Sequence, residues 1–318
     1  MANVVCTGGA GFIGSHLVDE LIKQGHNVLI IDNLSTGALD NINLKAKFLN
    51  IDICDNVNLY EKALSAFEEQ VIDFVFHLAA QINLRYSFED PINDARSNVI
   101  GSLNIINFAK KCNAKLIFAS TGGAIYSPRS RVPWAIKSKV DPQSPYGLSK
   151  YTVERYLKIL NINSAVLRLS NVYGPRQNHK GEAGVVAIFI NNILENKNLT
   201  IFGDGKQKRD FIHVYDVVSA FIIAMKPDYN SIYNVSTGVG TDIVNIAQMI
   251  IKKMSPTPSG RRAGSLLRIQ YDQAIPGELK NSILQFNLPE WQPQILLDDG
   301  INKTVQHFDT ARIHYIMR

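Results

Sequence analysis

The sequence predicts an α/β fold: a doubly wound parallel sheet with a smaller, mixed α/β C-terminal lobe. Three observations predict it. Short apolar runs recur along the first half of the chain, each followed by a helical pattern after a short connection. The first of these units carries a glycine-rich turn, Thr7-Gly8-Gly9-Ala10-Gly11-Phe12-Ile13-Gly14. Past residue 170 the alternation becomes irregular. The expected division is 1–170 for the sheet domain and mainly 171–318 for the second lobe, with segments near 211–238 returning to the first.

Val4-Val5-Cys6 reads as the first strand, and Leu17, Val18, Leu21 and Ile22 mark an amphipathic helix beyond the turn. Gly8 allows the tight turn, Gly11 lets a pyrophosphate approach the backbone, and Gly14 lets helix and strand pack closely. The helix N-terminus offers free N–H groups and its positive dipole end to that anion. The spacing is G-x-x-G-x-x-G, not the commoner dehydrogenase spacing, and a glycine-rich turn can also serve packing alone. A second strand, 28–31, ends in Asp32, 18 residues after Gly14. An acid there can accept the adenosine ribose hydroxyls; otherwise it is a solvated strand-end carboxylate. With the glycines in place the reading is a dinucleotide site, and the acid with no arginine directly after it favours NAD over NADP.

Residues 33–37 are a polar turn, and 47–51 read as the third strand with Asp52 at its exit. Asp52 either accepts the adenine amino group or caps the helix that carries Leu59 and Leu64. Residues 74–80 read as a buried fourth strand and its mouth, where small residues let a cofactor lie against the backbone. Asp90-Pro91 opens a long helix with Ala95, Val99, Leu103 and Ile106 on one face. Asn98 on that helix is either solvated or holds a loop or a cofactor group. Residues 116–119 are the fifth strand, ending in Ser120-Thr121-Gly122-Gly123. The basic loop after it, with Arg129, Arg131, Lys137 and Lys139, reads as solvated. Ser144-Pro145-Tyr146 opens the next helix, and 165–169 is the sixth strand. Ligands of such sheets bind beyond the strand carboxyl ends, and the glycine turn, Asp32, Asp52, Ala79 and Ser120 share that edge. Beyond it, 171–175 reads as a turn, 185–194 as a helix, 199–202 as a strand, 204–209 as a loop and 211–214 as extended. The cleft between the lobes is the expected substrate site.

Tyr146 and Lys150 lie four apart at the start of one helix, so they share a face. A neighbouring ammonium favours the phenolate. That makes the tyrosine a general base for a sugar or alcohol hydroxyl, while the lysine can also bind the nicotinamide ribose. Y-x-x-x-K by itself is far more often an exposed surface pair; the dinucleotide fold ahead of it turns the reading to catalysis.

Taken together, 7–14, Asp32-Asn33-Leu34, His77-Leu78-Ala79-Ala80-Gln81 and Tyr146-x-x-x-Lys150 resemble the extended short-chain dehydrogenase/reductases. Within them the chain most resembles NAD-dependent nucleotide-sugar epimerases of the UDP-glucose 4-epimerase type. Arg209-Asp210-Phe211-Ile212-His213-Val214-Tyr215-Asp216 is similar to that family's second-lobe signature. The resemblance runs from residue 1 to about 250 and weakens afterwards. It implies a Rossmann domain with NAD. Gly8, Gly11, Phe12, Ile13 and Gly14 would line the pyrophosphate, Asp32 and Asn33 the adenosine ribose, and Asp52 and Ile53 the adenine. Leu78, Ala79, Ala80 and Gln81 would line the cofactor, with Asn98 near it. Tyr146 would be the base and Lys150 its electrostatic partner. Asn171 and Arg209 would hold a UDP-sugar diphosphate, and Phe202 would lie by the uracil. The implied reaction is C4 epimerisation through a 4-keto sugar. A homodimer through the 90–112 and 146–160 helices is implied as well.

The chain departs from that pattern in places. Gly122 stands where many relatives carry a catalytic Ser or Thr, which leaves Thr121, Ser120 or a water to make that hydrogen bond. Ile275 stands where the family often has the arginine of Arg-Pro-Gly-Glu, so Arg209 would carry more of the phosphate, helped by Arg85 or Lys280. Ser282 falls near the position that gates the sugar 2-substituent, and a small residue there leaves room for an N-acetyl group. A dehydratase or decarboxylase is the runner-up. A dehydratase needs an acid pair after the fifth strand, and Gly122-Gly123 occupies that place. A non-catalytic NAD-binding scaffold comes third, against the retained Tyr146 and Lys150.

Composition bounds the remainder. At 318 residues the chain can bury a full core. A net charge of +5 is small for this length, and no basic run interleaves with aromatics, so no nucleic-acid partner is expected. Cys6, Cys54 and Cys112 match no metal-ligand spacing, so no metal is expected and Cys6 reads as a core thiol. No signal peptide and no apolar run of bilayer length is read, which makes the cytoplasm the expected compartment.

Overall fold

The computed structural model describes residues 1–55, 59–68, 70–180, 184–254, 269–274 and 279–316, with side chains to 310. The apolar runs become a seven-stranded sheet. Its first six strands are β1 (Asn3–Thr7), β2 (Asn27–Asp32), β3 (Lys47–Asn50), β4 (Phe74–His77), β5 (Lys115–Thr121) and β6 (Ser164–Leu169). The chain then leaves through β7 (Asn171–Tyr173), β8 (Leu199–Phe202) and β9 (Lys208–His213), and returns as β10 (Ile232–Val235) at the sheet edge. The order is β10-β6-β5-β4-β1-β2-β3, and every pairing is parallel. Strand order reverses between β1 and β4, the place where such sheets hold a dinucleotide.

A parallel sheet has to be covered on both faces, and alternate side chains divide between the two cores. Val4 and Cys6 face one core with Leu17 of α1 (Phe12–Lys23), whereas Val5 faces the other with Leu59 of α2 (Leu59–Ala66). After α3 (Leu84–Glu89), Asp90 caps α4 (Pro91–Ala95) by accepting from the Asn93 N–H at 2.9 Å. A π-turn, Arg96–Ile100, joins α4 to α5 (Gly101–Cys112). The long helix expected from Asp90-Pro91 is therefore present with a widened turn at Asn98, a feature common at functional sites. α5 and α6 (Pro145–Ile159) cover the second face.

In the smaller lobe β9 pairs with β7, with β11 (Gly240–Asp242) and with β13 (Asn281–Ser282), while β12 (Ile269–Asp272) pairs with β8. Phe189 of α7 (Val185–Leu194), Ile250 of α9 (Ile243–Met254) and Ile301 of α10 (Leu297–Ile316) build its core. α8 (Val214–Ile223) packs instead on α1 and shares the first core through Phe221. The segment 171–175, expected as a turn, begins with a strand: Asn171, Val172 and Tyr173 pair with Phe211, Ile212 and His213. Three residues are too few to show a period, so only the partner strand reveals it. The expected 204–209 loop likewise ends early, because β9 starts at Lys208.

Cys6 is fully buried, and burial pushes its thiol well above the ordinary range. All three cysteines are free. Among the described residues no helix is long and apolar enough to cross a membrane.

Candidate active site

The glycine turn is fixed by contacts that admit no side chain. Gly8 has φ +73°, and a Cβ there would stand 2.6 Å from the Ala79 nitrogen. A Cβ on Gly14 would stand 2.1 Å from the Gly8 oxygen. Gly11 is the N-cap of α1 without a side-chain cap, and no acid lies in the first helical turn. The N–H groups of Phe12, Ile13 and Gly14 have no intrahelical partner by helix geometry, so the terminus is set for an anion. Asp32 is buried at the end of β2. Its Oδ2 accepts from the Ala10 N–H at 3.0 Å and its Oδ1 from the Leu34 N–H at 2.8 Å, so it also braces the turn. Each carboxylate oxygen keeps a lone pair for a ribose hydroxyl. These features fit a dinucleotide.

Asn33 donates to Asp52 Oδ2 at 2.9 Å, and Asp52 Oδ1 accepts from the Cys54 N–H at 2.8 Å. Burial pushes the Asp52 carboxyl up, but the bonds from Cys54 and Asn33 outweigh it and hold it below its usual range. Among the described residues the Asp52 side chain bonds Asn33 and Cys54. Ile53 packs against Gly101.

The loop after β4 is held from the π-turn. Asn98 accepts from the Gln81 N–H at 3.0 Å and donates to the Gln81 oxygen at 2.8 Å, which makes it the holder of a loop. Leu78, Ala79 and Ala80 lie between this clamp and the glycine turn. His77 is fully buried and links Thr7 Oγ1 (2.8 Å) to Ser102 Oγ (2.9 Å). Ser102 spends its proton on the Asn98 oxygen at 2.7 Å, so it accepts from His77, which fixes the Nε2–H tautomer. Burial, then the Lys150 charge, push His77 down to about 3.

Tyr146 opens α6, half-buried, and the nearby Thr121 hydroxyl favours its phenolate. Ser120 and Thr121 alternate along β5, so one of them has to face away. Ser120 does: it donates to Glu154 Oε1 at 2.6 Å, so its hydroxyl proton is spent there. Glu154 is in turn gripped by Arg168 through Nε (2.9 Å) and Nη2 (2.5 Å), both side chains buried. The groups around Tyr146 act on its phenol in both directions. Burial first, then the Asp94 charge, raise the phenol far above its usual value, with the Thr121 hydroxyl opposing. The Lys150 ammonium donates to the Ala119 oxygen at 3.1 Å and stands 4.9 Å from the Phe118 ring centre. It has donors to satisfy, and the β5 backbone supplies the acceptor. Burial pushes Lys150 down to about 8, against the support of Asp94 and Glu154.

Gly122 has a reason that sequence reasoning missed. A Cβ there would stand 2.3 Å from Leu284 Cδ1, and Leu284 is fully buried with Tyr126 and Trp134. One step further, Ser282 Oγ comes within 3.4 Å of a Cβ on Gly123, so Ser282 reaches the mouth of β5. Arg85 lies 5.6 Å over the Phe202 ring and joins the two lobes. Arg209 donates through Nη1 to the Leu279 oxygen at 2.8 Å. Asn171 is exposed at the start of β7. Ile275 lies outside the described residues, and Lys280 lines a surface groove with Lys206 and Lys208. Asp94 and Glu154 were also missed; the spacings Asp94-x-x-x-Asn98 and Lys150-x-x-x-Glu154 are the helical signals that could have found them. Among the described residues no group of His, Cys, Asp or Glu is set to hold a metal.

An NAD-binding α/β fold with a tyrosine and lysine on one helix is the class that this geometry defines. The chain belongs to the NAD dependent epimerase/dehydratase family, whose profile matches residues 4–236. It is 43% identical over 310 residues to a Methanocaldococcus jannaschii protein provisionally named UDP-glucose 4-epimerase, covering 95% of this chain and 97% of the relative. It is 38% identical over 317 residues to the UDP-glucose 4-epimerase of Mycolicibacterium smegmatis, covering 95% and 97%. The solved Thermotoga maritima UDP-glucose 4-epimerase with UDP-glucose superposes with a TM-score of 0.90 at 38% identity, covering 98% of this chain and 99% of that one.

Proposed function

We propose that this protein is a UDP-hexose 4-epimerase that uses NAD. The observation that carries this reading is that Tyr146 and Lys150 share α6 and that Lys150 is fastened to β5 near its carboxyl end, on the sheet edge that bears the glycine turn. The likeness to UDP-glucose 4-epimerases over nearly the whole chain supports the substrate class.

In this reading Tyr146 takes the proton of the sugar 4-hydroxyl while the Thr121 hydroxyl stabilises the phenolate. Lys150 sets the local field and would hold the nicotinamide ribose. NAD, held by the glycine turn and Asp32, would supply the hydride acceptor and donor for C4. Arg209 and Asn171 hold the diphosphate and Phe202 the uracil, with Arg85 beside it. Anchoring through UDP leaves the sugar free to turn and present the other face of its 4-keto form. The small Ser282 beside Gly123 leaves room for an N-acetyl group. Gly122 and Gly123 offer no acid after β5, which disfavours the dehydratase alternative.

The reading includes a homodimer in the cytoplasm. Exposed Phe88, Ile92, Ile100 and Leu148 stand on α3, α4, the π-turn and α6, an apolar surface suited to a second copy. The test is incubation of purified protein, without added NAD, with UDP-galactose and separately with UDP-N-acetylgalactosamine. The gluco epimer is expected from both. No epimer from either, with NAD then supplied, overturns the reading; turnover of UDP-galactose alone overturns the role of Ser282.

A further inference from the structure

Asp94 is a fully buried carboxylate that the reaction above does not use. Its Oδ1 accepts from Gln81 Nε2 at 2.9 Å and from Asn98 Nδ2 at 2.9 Å. Its Oδ2 accepts from Ser149 Oγ at 2.7 Å. Ser149 lies on α6 between Tyr146 and Lys150. Gln81 in turn accepts from the Asn83 N–H, and Asn83 caps α3, the helix that carries Arg85. One carboxylate therefore ties the catalytic helix, the π-turn, the cofactor loop and the cross-lobe arginine together.

We propose that Asp94 is the positioning residue of this site, fastening α6 to the 81–83 loop and setting the charge balance of Tyr146 and Lys150. The proposal rests on Tyr146 being the base. None of Asp94's three hydrogen-bond donors is charged, so its negative charge is not neutralised on contact. That charge opposes the phenolate of Tyr146 and supports the ammonium of Lys150. The other groups acting on the pair are the Thr121 hydroxyl, Glu154, whose charge is matched by Arg168, and His77, buried and neutral.

The two effects predict an uncommon signature. Removing the charge lowers the pKa of both Tyr146 and Lys150, so the whole pH profile moves to the acid side. Asp94→Asn tests this with little change of shape. The amide oxygen can keep the Gln81 and Asn98 bonds, and the amide nitrogen can donate to Ser149. The experiment is kcat and KM against pH for the NAD-loaded enzyme with UDP-galactose, for wild type, Asp94→Asn, Asp94→Ala and Tyr146→Phe. Both limbs of Asp94→Asn are expected to shift down by about one pH unit. Asp94→Ala is expected to lose about tenfold in kcat with KM nearly unchanged, and Asp94→Asn to recover most of it. Unmoved limbs in Asp94→Asn, with Tyr146→Phe inactive, overturn the proposal and leave the base reading intact. Full turnover by Tyr146→Phe overturns the base reading and the proposal with it. Asp94→Asn remains decisive where Asp94→Ala fails to fold.

Discussion

Replacing Gly122 by serine puts a Cβ 2.3 Å from Leu284 Cδ1, 2.8 Å from Cδ2 and 3.1 Å from Cγ. Leu284 cannot swing away cheaply, because it is fully buried against Tyr126 and Trp134. Its backbone is also fixed: Ile283 accepts from the Trp134 N–H at 2.8 Å, and the Leu284 N–H donates to Asp210 at 3.3 Å. Overpacking of this kind costs about 1–3 kcal/mol. At about 2–4 °C per kcal/mol for a chain approaching this size, the melting temperature is expected to fall by about 2–12 °C. Leu284→Ala opens the space but loses a buried side chain, at about 2–5 kcal/mol alone. The double variant removes the clash, so its cost is expected to fall below the sum of the single costs by about 1–2 kcal/mol. A double-mutant cycle by urea unfolding reads this directly. Additivity within about 0.4 kcal/mol would show that Leu284 is not what excludes a side chain at 122, and the reasoning would fail.

Three other outcomes are expected. Thr121→Ala is expected to lower kcat about 10- to 100-fold and to move the acid limb to higher pH, because the lost hydroxyl was favouring the phenolate. Ser120→Ala is expected to cost stability and little activity, since it bonds Glu154; equal kinetic losses in the two variants refute the division of β5. Acid stability follows from His77, held at about 3, and from His16 and His213, held at about 4 by burial. Their folded values lie below the unfolded one near 6.5, so the unfolded chain binds the extra protons. Stability is whole above about pH 6.5 and is lost as pH falls towards 4, by about 2 kcal/mol per histidine at about pH 5. Melting temperatures unchanged between pH 7.5 and 5.5 would contradict this.

The glycine turn was legible in the sequence because its constraint is local. Gly8 needs a positive φ, and Gly14 leaves no room for a Cβ beside its own turn. The strands of the parallel sheet were legible for a similar reason, since burial on both faces writes them as continuous apolar runs. Tyr146 and Lys150 were found together because helical spacing places them on one face. The roles within the site were decided elsewhere. Which of Ser120 and Thr121 meets Tyr146 depends on the side of β5 that α6 and Glu154 occupy. Whether Lys150 offsets the burial of Tyr146 depends on the Ala119 carbonyl and on Asp94, which lies 52 residues before Tyr146. Strand β7 exists only because β9 arrives beside it. The glycine at 122 waits on a leucine far along the chain. The sequence by itself determined the elements whose cause lies within one turn or one strand. Tertiary structure decided the charges and the contacts, because electrostatic fields and excluded volume act through space between segments that the chain order keeps apart.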